Sequence, residues 1–290
     1  MATTLVLGAS GRTGSVVAQS LLERGQKVRV LVHEAAKGER WKKRGAEVAV
    51  GSVEDAHAMG AALRGAEAAY LLMPPSAFSA TGVLARARRI VDVFMQTVAG
   101  SHLKHAVLLS SVGANLPTGT GLIQSLHVAE KALGTLKVPC TFLRACYFVE
   151  NWGSRLEAAK SGQLPGFIPV DFRFPQVGTH DIGVVAAELL SVHPKAHRVV
   201  ELAGPEEVSG NDVAAALGKL LGQTVQAVAY PVAEMASVLP AQGFSAEMAA
   251  LFQEMTEGIV SRRIAFEHPE SVRRGKQPLE VTLGEMLKKG

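Results

Sequence analysis

Residues 4–14, with the sequence TLVLGASGRTG, decide the fold class of this chain. A short apolar run leads directly into glycines spaced as G-x-x-G-x-x-G, and a segment with helical spacing follows over 12–24. A strand, a glycine-rich turn and a helix in this order are typical of the start of a dinucleotide-binding βαβ unit. The glycines permit a tight turn, let backbone amides approach a pyrophosphate, and let the helix pack closely on the sheet. A tight turn without a ligand is the alternative. The cofactor contacts predicted here are Gly8, Ser10, Gly11, Arg12, Thr13 and Gly14.

Six short runs rich in Val and Leu alternate with helical patterns up to residue 145. This alternation predicts an α/β fold with a parallel sheet covered by helices on both faces. Right-handed crossovers make such a sheet doubly wound, as in the Rossmann fold. The runs lie at 4–7, 28–32, 47–50, 68–72, 106–110 and 141–143, and the helical patterns lie at 12–24, 54–63, 83–99 and 122–136.

The pattern changes after residue 145. Residues 162–178 hold three prolines and three phenylalanines without helical spacing, which indicates a loop-rich lobe. We predict a dinucleotide-binding domain at 1–150 with a return segment near 178–203, and a smaller α+β substrate lobe built from 151–177 and 204–290. The elements predicted beyond residue 178 are helices at 179–190, 213–221, 244–257 and 282–289, a capping box at 209–212, and strands at 199–202 and 225–228.

Composition excludes several classes of protein. With 48% apolar and 19% charged residues, the 290-residue chain is not disordered. Two cysteines, Cys140 and Cys146, cannot form a disulfide framework or a four-cysteine zinc site, so no metal is expected. The net charge of +4 is scattered among acids, which is typical of solvated helix faces rather than a nucleic-acid surface. Without a signal-peptide pattern or a long apolar span, we expect a cytoplasmic protein with no membrane partner.

The end of the second strand sets the choice of cofactor. An acid there binds the ribose of NAD, whereas a cation accommodates the 2′-phosphate of NADP. The strand ends at His33, which is not acidic, and Arg12, Lys37 and Arg40 are cations nearby. Glu34 is the counter-evidence, because its carboxylate could reach the ribose. We expect NADP, with NAD as the alternative.

Several motifs together resemble the NmrA-like family of atypical short-chain dehydrogenases. They are GASGRTG at 8–14, TFLRACYFVENW at 141–152, THDIGVVAAELL at 179–190 and ELAGPEEVSGNDVAAAL at 201–217. The resemblance implies an NAD(P)-binding protein of one of two kinds. Some members reduce quinones, dyes or imines, and others are non-catalytic redox sensors that bind a regulatory protein. Members that bind NADP usually carry Arg and, four residues later, Lys at the positions of His33 and Lys37.

The resemblance also implies cofactor contacts beyond the glycine loop. Ser52 and Val53 correspond to residues that cover the adenine, and Met73 and Pro74 lie in the loop that lines the cofactor. Ser110 ends the fifth strand, on the edge where ligands collect. The alternative for Met73 and Pro74 is a buried apolar loop without a cofactor contact, and the alternative for Ser110 is a turn-forming or helix-capping serine. The family pattern adds His33, Lys37 and His127 as cofactor contacts. Tyr147 and Phe148 are further candidates because they follow the sixth strand and should face the cofactor.

The acid–base pair of most short-chain dehydrogenases is missing. Of Tyr70, Tyr147 and Tyr230, none is followed four residues later by Lys. His127 stands near the position where relatives carry a basic residue, so His127 and Tyr147 are the catalytic candidates. A surface or capping histidine is the alternative.

The segment after the sixth strand predicts the acceptor site. Phe148, Asn151 and Trp152 suit an aromatic floor for a flat, conjugated acceptor, with ordinary core packing as the alternative. We expect an NAD(P)H-dependent reductase of a quinone, dye or imine, with a nicotinamide redox sensor that binds a regulatory protein as the alternative. The oligomeric state, including a homodimer, stays open.

Overall fold

A computed structural model describes residues 3–288. The strands are β1 (Thr3–Val6), β2 (Lys27–Val32), β3 (Glu47–Val50), β4 (Ala66–Leu71), β5 (His105–Ser111), β6 (Cys140–Ala145), β7 (Tyr147–Phe148), β8 (Gln163–Gly166), β9 (Phe174–Val177), β10 (Arg198–Ala203), β11 (Glu207–Val208), β12 (Gln226–Ala229) and β13 (Arg273–Arg274). The α-helices are α1 (Arg12–Glu23), α2 (Ala35–Lys42), α3 (Ala56–Leu63), α4 (Val83–Ala99), α5 (Gln124–Leu133), α6 (Leu156–Lys160), α7 (Thr179–Leu190), α8 (Gly210–Leu221), α9 (Met235–Val238), α10 (Ala246–Val260) and α11 (Leu279–Leu287).

Eight strands form one parallel sheet in the order β3-β2-β1-β4-β5-β6-β10-β13. Successive side chains on a strand point to opposite faces, and the core divides accordingly. On β5, Val107 packs in the core beneath α1 and α7, whereas Leu108 packs in the core beneath α3, α4 and α5. Because both faces are covered, the predicted doubly wound α/β fold is confirmed.

The return to the sheet has a clear packing basis. β10 pairs with β6, and α7 lies against α1. At the helix contact, a Cβ on Gly183 would stand 2.4 Å from the Cβ of Val16, so the backbones approach closely only because position 183 is glycine.

Several elements of the structure escaped the sequence-based prediction, among them α2 and β13. α2 has only Gly38 and Trp41 buried, which is too few apolar positions to give a helical stripe. β13 consists of two arginines and adds to the edge of the sheet beside β10. Arg273 is fixed there by an ion pair with Glu188. The strand predicted as the last of the chain, now β12, is therefore followed by another, and the last residue predicted for α11 lies outside the described residues.

A separate core forms the second lobe. Trp152 and Leu164 pack there with residues from α8 and α11, such as Leu217 and Leu283. Within 162–178, where irregular loops were expected, β8 and β9 form and join two small sheets, β12-β8 and β11-β9-β7. The capping box at the start of α8 is present, with the side chains of Ser209 and Asp212 each accepting from the other's backbone N–H. The division into two domains stays a prediction.

No helix within residues 3–288 combines the length and the apolar composition that crossing a membrane requires.

Candidate dinucleotide and acceptor site

The glycine loop joins β1 to α1 at the carboxyl edge of the sheet. Gly8 has a left-handed φ of 67°, and its carbonyl accepts a 2.8 Å hydrogen bond from the N–H of Gly11. A Cβ on Gly14 would lie 2.4 Å from the carbonyl oxygen of Gly8, so glycine is required for α1 to begin this close to the strand. A Cβ on Gly11 would meet only that same oxygen, at 3.3 Å, and otherwise project into open space.

These features fit a dinucleotide. Gly11 is the N-cap of α1, and no side chain in the described part of the chain caps the helix there. The first amides of a helix have no partner within it and attract anions. The open space beside Gly11, together with these amides, is therefore suited to a pyrophosphate.

Buried side chains hold the loop from behind. Tyr70 on β4 donates a 3.2 Å hydrogen bond to the hydroxyl of Thr13, and burial raises the pKa of the Tyr70 phenol. The carbonyl of Ala9 accepts from the indole N–H of Trp41 at 3.2 Å and from Arg40 at 2.5 Å. The sequence-based prediction missed Tyr70 and Trp41, because no local motif links them to the loop.

The cations predicted for the 2′-phosphate are not equivalent. Lys37 forms an exposed ion pair with Glu34 at 2.6 Å, and the hydrogen bond from Lys37 lowers the pKa of that carboxyl. The guanidinium of Arg12 is directed away from Lys37 and donates to the carbonyl of Glu150 at 3.2 Å. Arg40 stays beside the loop, and His33 is exposed at the end of β2.

Two further predicted segments line the same edge. Ser52 accepts a hydrogen bond from the N–H of Glu54 and so shapes the turn after β3, where Val53 is buried. Met73 and Pro74 are half-buried in the loop after β4. Their contacts with a cofactor stay predictions, as does that of the exposed Ser10.

His127 on α5 is held by one ring nitrogen. Its Nδ1 lies 2.8 Å from the carbonyl oxygen of Ala114, and since a carbonyl oxygen only accepts hydrogen bonds, Nδ1 carries the proton and is the donor. The neutral ring therefore presents an unprotonated Nε2. Such a nitrogen accepts a hydrogen bond, which fits a ribose hydroxyl better than it fits the role of a proton donor.

Tyr147 lies directly after β6, among groups that the sequence did not bring together. Its ring meets Phe174 edge-on, with centroids 5.3 Å apart. Burial raises the pKa of the phenol, and the nearby side chains of Arg155 and Asn151 oppose this shift. The guanidinium of Arg155 lies over the ring of Trp152, with its Cζ 5.4 Å from the centroid. The phenol therefore keeps its proton at neutral pH and is able to donate it in a hydrogen bond.

The expected aromatic floor is only partly open. Phe148 is half-buried against the core beneath α1 and α7, and Asn151 is exposed. Trp152 is 5% exposed, and its indole N–H donates to Gln176 at 2.9 Å in the second lobe. This is the core packing that the sequence left open as the alternative, so Trp152 has little surface to offer an acceptor.

A buried ionic network lies under the site. Ser110 donates to Glu130 at 2.5 Å, and Arg144 holds the same carboxylate with Nε at 2.9 Å and Nη2 at 2.6 Å. Burial alone would lower the pKa of Arg144, but Glu130 and Glu267 outweigh it and raise this pKa. The Ser110 hydroxyl is thus engaged within the protein, which counts against its predicted contact with the cofactor.

Within residues 3–288, no group of three or more His, Cys, Asp or Glu side chains is placed to hold a metal ion.

Several known proteins resemble this chain in fold or in sequence. The fold matches an NADPH-dependent quinone oxidoreductase from Escherichia coli, solved with NADPH, at a TM-score of 0.78 and 22% identity over 98% of this chain and 99% of that one. An NAD(P)H azoreductase from Xenophilus azovorans is 24% identical over 87% of this chain and 85% of the relative. A (4-alkanoyl-5-oxo-2,5-dihydrofuran-3-yl)methyl phosphate reductase from Streptomyces griseus subsp. griseus is 29% identical, with coverages of 77% and 75%. The NmrA-like family model matches residues 1–273. The resemblance inferred from the motifs is thereby confirmed, and the chain belongs to the NmrA-like family.

Proposed function

We propose that this protein transfers hydride from NADPH to a conjugated organic acceptor such as a dye or a quinone. Two relatives that span most of its length are named as reductases. The observation that carries the proposal lies at the carboxyl edge of the sheet, where Arg12, next to the open glycine loop, donates to the carbonyl of Glu150 in the aromatic segment at 147–152. NAD is the alternative cofactor, because Glu34 neutralises Lys37 beside the expected ribose position. An imine acceptor stays a prediction from the sequence.

The missing Tyr-x-x-x-Lys pair fits an acceptor of this kind. A bound NADPH supplies the hydride. A conjugated acceptor spreads the resulting negative charge over its ring system, so solvent is able to supply the proton later. Orientation then contributes most of the rate, and the chain provides it through the loop at Gly8–Gly14 and the side chains of Tyr147 and Phe148.

Two residues assist in different ways under this proposal. Tyr147 keeps its proton and donates a hydrogen bond to the charge that develops on the acceptor. His127, with Nδ1 engaged by the carbonyl of Ala114, accepts from a ribose hydroxyl and positions the cofactor. Loss of His127 should therefore weaken NADPH binding more than it slows the chemical step.

The test is turnover with a panel of acceptors. Protein and NADPH are mixed with quinones, azo dyes, triphenylmethane dyes and cyclic imines, and the absorbance of the reduced cofactor is followed. We expect turnover with at least one conjugated acceptor. Gly11→Val is the matched control: the backbone there is extended and a Cβ requires the carbonyl of Gly8 to shift by only a few tenths of an ångström, but the Val side chain would occupy the space beside the amides. The variant should fold normally and bind no NADPH.

Tight NADPH binding without turnover of any acceptor would contradict the proposal and favour a non-catalytic redox sensor. A regulatory protein partner would then be sought by equilibrium binding with oxidised and reduced cofactor. The turnover experiment does not test the regulatory protein partner or the homodimer, and both stay predictions.

A further inference from the structure

A row of aromatic rings leads away from the expected position of the nicotinamide. Tyr147, on β7 just beyond the carboxyl end of β6, contacts Phe174 edge-on at 5.3 Å, and Phe174 stacks on Phe172 at 5.8 Å. Phe174 is buried, whereas Tyr147 and Phe172 on either side of it are half-buried. A dinucleotide bound to the glycine loop places its nicotinamide half on the β4–β5–β6 side of the sheet, because its adenine half lies toward β2 and β3. The partly open rings of Tyr147 and Phe172 are therefore available to a flat molecule bound beside the nicotinamide.

Arg262 closes the outer end of this row. Its guanidinium carbon lies 4.9 Å from the centroid of Phe172, a cation–π contact. Arg262 follows the C-cap of α10 and has a φ of 56°, the one positive φ of a residue other than glycine within residues 3–288. Glycine is the usual residue at this position after a helix, because an L side chain disfavours the left-handed region. The backbone thus bears a strain that glycine would relieve, and the side chain that causes it is a cation.

The charge of Arg262 is not neutralised within the described part of the chain. No carboxylate among residues 3–288 lies within 4.0 Å of its guanidinium, and its one hydrogen bond there reaches the carbonyl of Arg173 at 3.4 Å. Of the two arginines beside it, Arg173 is paired with Asp212 at 2.7 Å, whereas the guanidinium of Arg263 donates to the carbonyl of Gly119. A guanidinium has five N–H donors, so Arg262 retains most of its donors and its full charge at the end of an aromatic surface.

We propose that Arg262 forms an anion subsite of the acceptor site, so that the preferred acceptors are flat conjugated molecules with a carboxylate, sulfonate or phosphate at one end. The conjugated part lies against Tyr147 and Phe172, and the anionic group meets the free edge of the guanidinium. This inference rests on the proposed reductase function, which makes the bound molecule an acceptor. The anion subsite itself is tested by binding measurements, without turnover. A charge-assisted hydrogen bond of this kind corresponds to about 10- to 150-fold in affinity.

The experiment compares two dyes that differ by one negative charge: para methyl red, which carries a carboxylate, and its methyl ester. Equilibrium binding of each is measured in the presence of NADP⁺, which cannot donate hydride, so no turnover interferes. The wild-type protein should bind the acid about tenfold more tightly than the ester, and added salt should reduce that preference. Arg262→Gly should lose the preference while ester binding stays unchanged. Arg262→Lys, which keeps the charge, should retain part of it.

Arg262→Gly is a favourable variant for this purpose, because the left-handed φ suits glycine and the fold is not at risk. Arg88→Gln, an exposed arginine on α4, is the matched control for loss of one positive charge and should behave as wild type. Equal binding of acid and ester by the wild-type protein would overturn the proposal. So would an equal loss of both dyes in Arg262→Gly. A loss of NADPH affinity in that variant, with the preference for the acid intact, would assign Arg262 to a cofactor phosphate instead and also overturn it.

Failure of the reductase function is a separate outcome. If no acceptor is reduced but the acid is still preferred through Arg262, the anion subsite stands and the reductase proposal is wrong. If acceptors are reduced without any preference for the acid, the reductase stands and the subsite is wrong.

Discussion

The two ends of strands β5 and β6 bury polar side chains in opposite ways. At the amino end, His105 lies 2.9 Å from the hydroxyl of Thr141, and Arg198 donates to the same hydroxyl at 2.9 Å. At the carboxyl end, Glu130 accepts from both Ser110 and Arg144. One cluster keeps a histidine neutral, and the other keeps two opposite charges together.

The difference follows from what each end has to hold. The amino-end cluster joins adjacent strands β5, β6 and β10, which the sheet already aligns. The carboxyl-end cluster reaches beyond the sheet, because Arg144 also binds Glu267, in the segment that crosses over after α10. Glu201 accepts the backbone N–H groups of Glu267 and His268, at 2.9 Å each, and fixes the same segment. The charged network therefore ties the C-terminal segment to the edge where the candidate site lies.

Breaking the charged cluster should have the largest effect on stability. Glu130→Gln keeps the shape of the side chain but leaves Arg144 buried with only the half-exposed Glu267 as a counter-charge. Removing one partner of a buried pair costs about 3–5 kcal/mol, and the remaining partner favours the lower end, about 3 kcal/mol. Urea denaturation measures this loss.

The matched control is an exposed pair. Glu67→Gln, which removes the partner of Lys104 at the surface, should change the stability far less, because water screens an exposed ion pair. Equal losses for the two variants would show that burial does not distinguish the carboxyl-end network.

The neutral cluster should respond to pH instead. Burial, followed by repulsion from Arg198 and His193, lowers the pKa of His105 from 6.5 to about 4. Between pH 6.5 and about 4, His105 is protonated in the unfolded chain but not in the folded protein. The stability that the neutral ring contributes is therefore fully present above pH 6.5 and is lost as the pH falls from 6.5 toward 4. At 1.36 kcal/mol per pKa unit, the loss amounts to about 3 kcal/mol.

Denaturation at several pH values measures this slope for the wild type and for His105→Gln. The variant should be less stable at neutral pH but should lose less on acidification. His57→Gln, which removes an exposed histidine, should keep the wild-type slope. An unchanged slope in His105→Gln would assign the acid sensitivity to other groups.

Local patterns predicted most of the fold because they encode it directly. Apolar runs such as 28–32 and the helical pattern at 12–24 report burial along one element, and G-x-x-G-x-x-G reports a backbone conformation. α2 was missed since its single large buried side chain, Trp41, contacts the glycine loop rather than forming a stripe. β13 was missed since paired arginines carry no strand signal.

The candidate site was less predictable because it depends on contacts between distant residues. The glycine loop lies where its motif implies, but Ser110, Glu130, Arg144 and Glu267 come from four segments that no spacing connects. The ring of Trp152 was expected to face an acceptor because it follows β6 in the sequence. Its hydrogen bond to Gln176, from another strand, turns it into the second lobe instead.

The smallest expected effects on stability come from removing one hydroxyl at each end of strands β5 and β6. Thr141→Val removes the partner of both His105 and Arg198 and leaves buried polar atoms unpaired, which should cost about 1–3 kcal/mol. Ser110→Ala removes one donor from Glu130, which keeps its two bonds to Arg144, so the loss should be about 1 kcal/mol or less.

The same variant tests the cofactor contact predicted for Ser110 from the sequence. Because the hydroxyl already donates to Glu130, Ser110→Ala should leave NADPH affinity within about twofold of wild type, whereas loss of a direct hydrogen bond to the cofactor would lower it by about two- to tenfold or more. Titration calorimetry with NADPH distinguishes the two results, and a marked loss of affinity with normal stability would mean that Ser110 turns from Glu130 to the cofactor on binding.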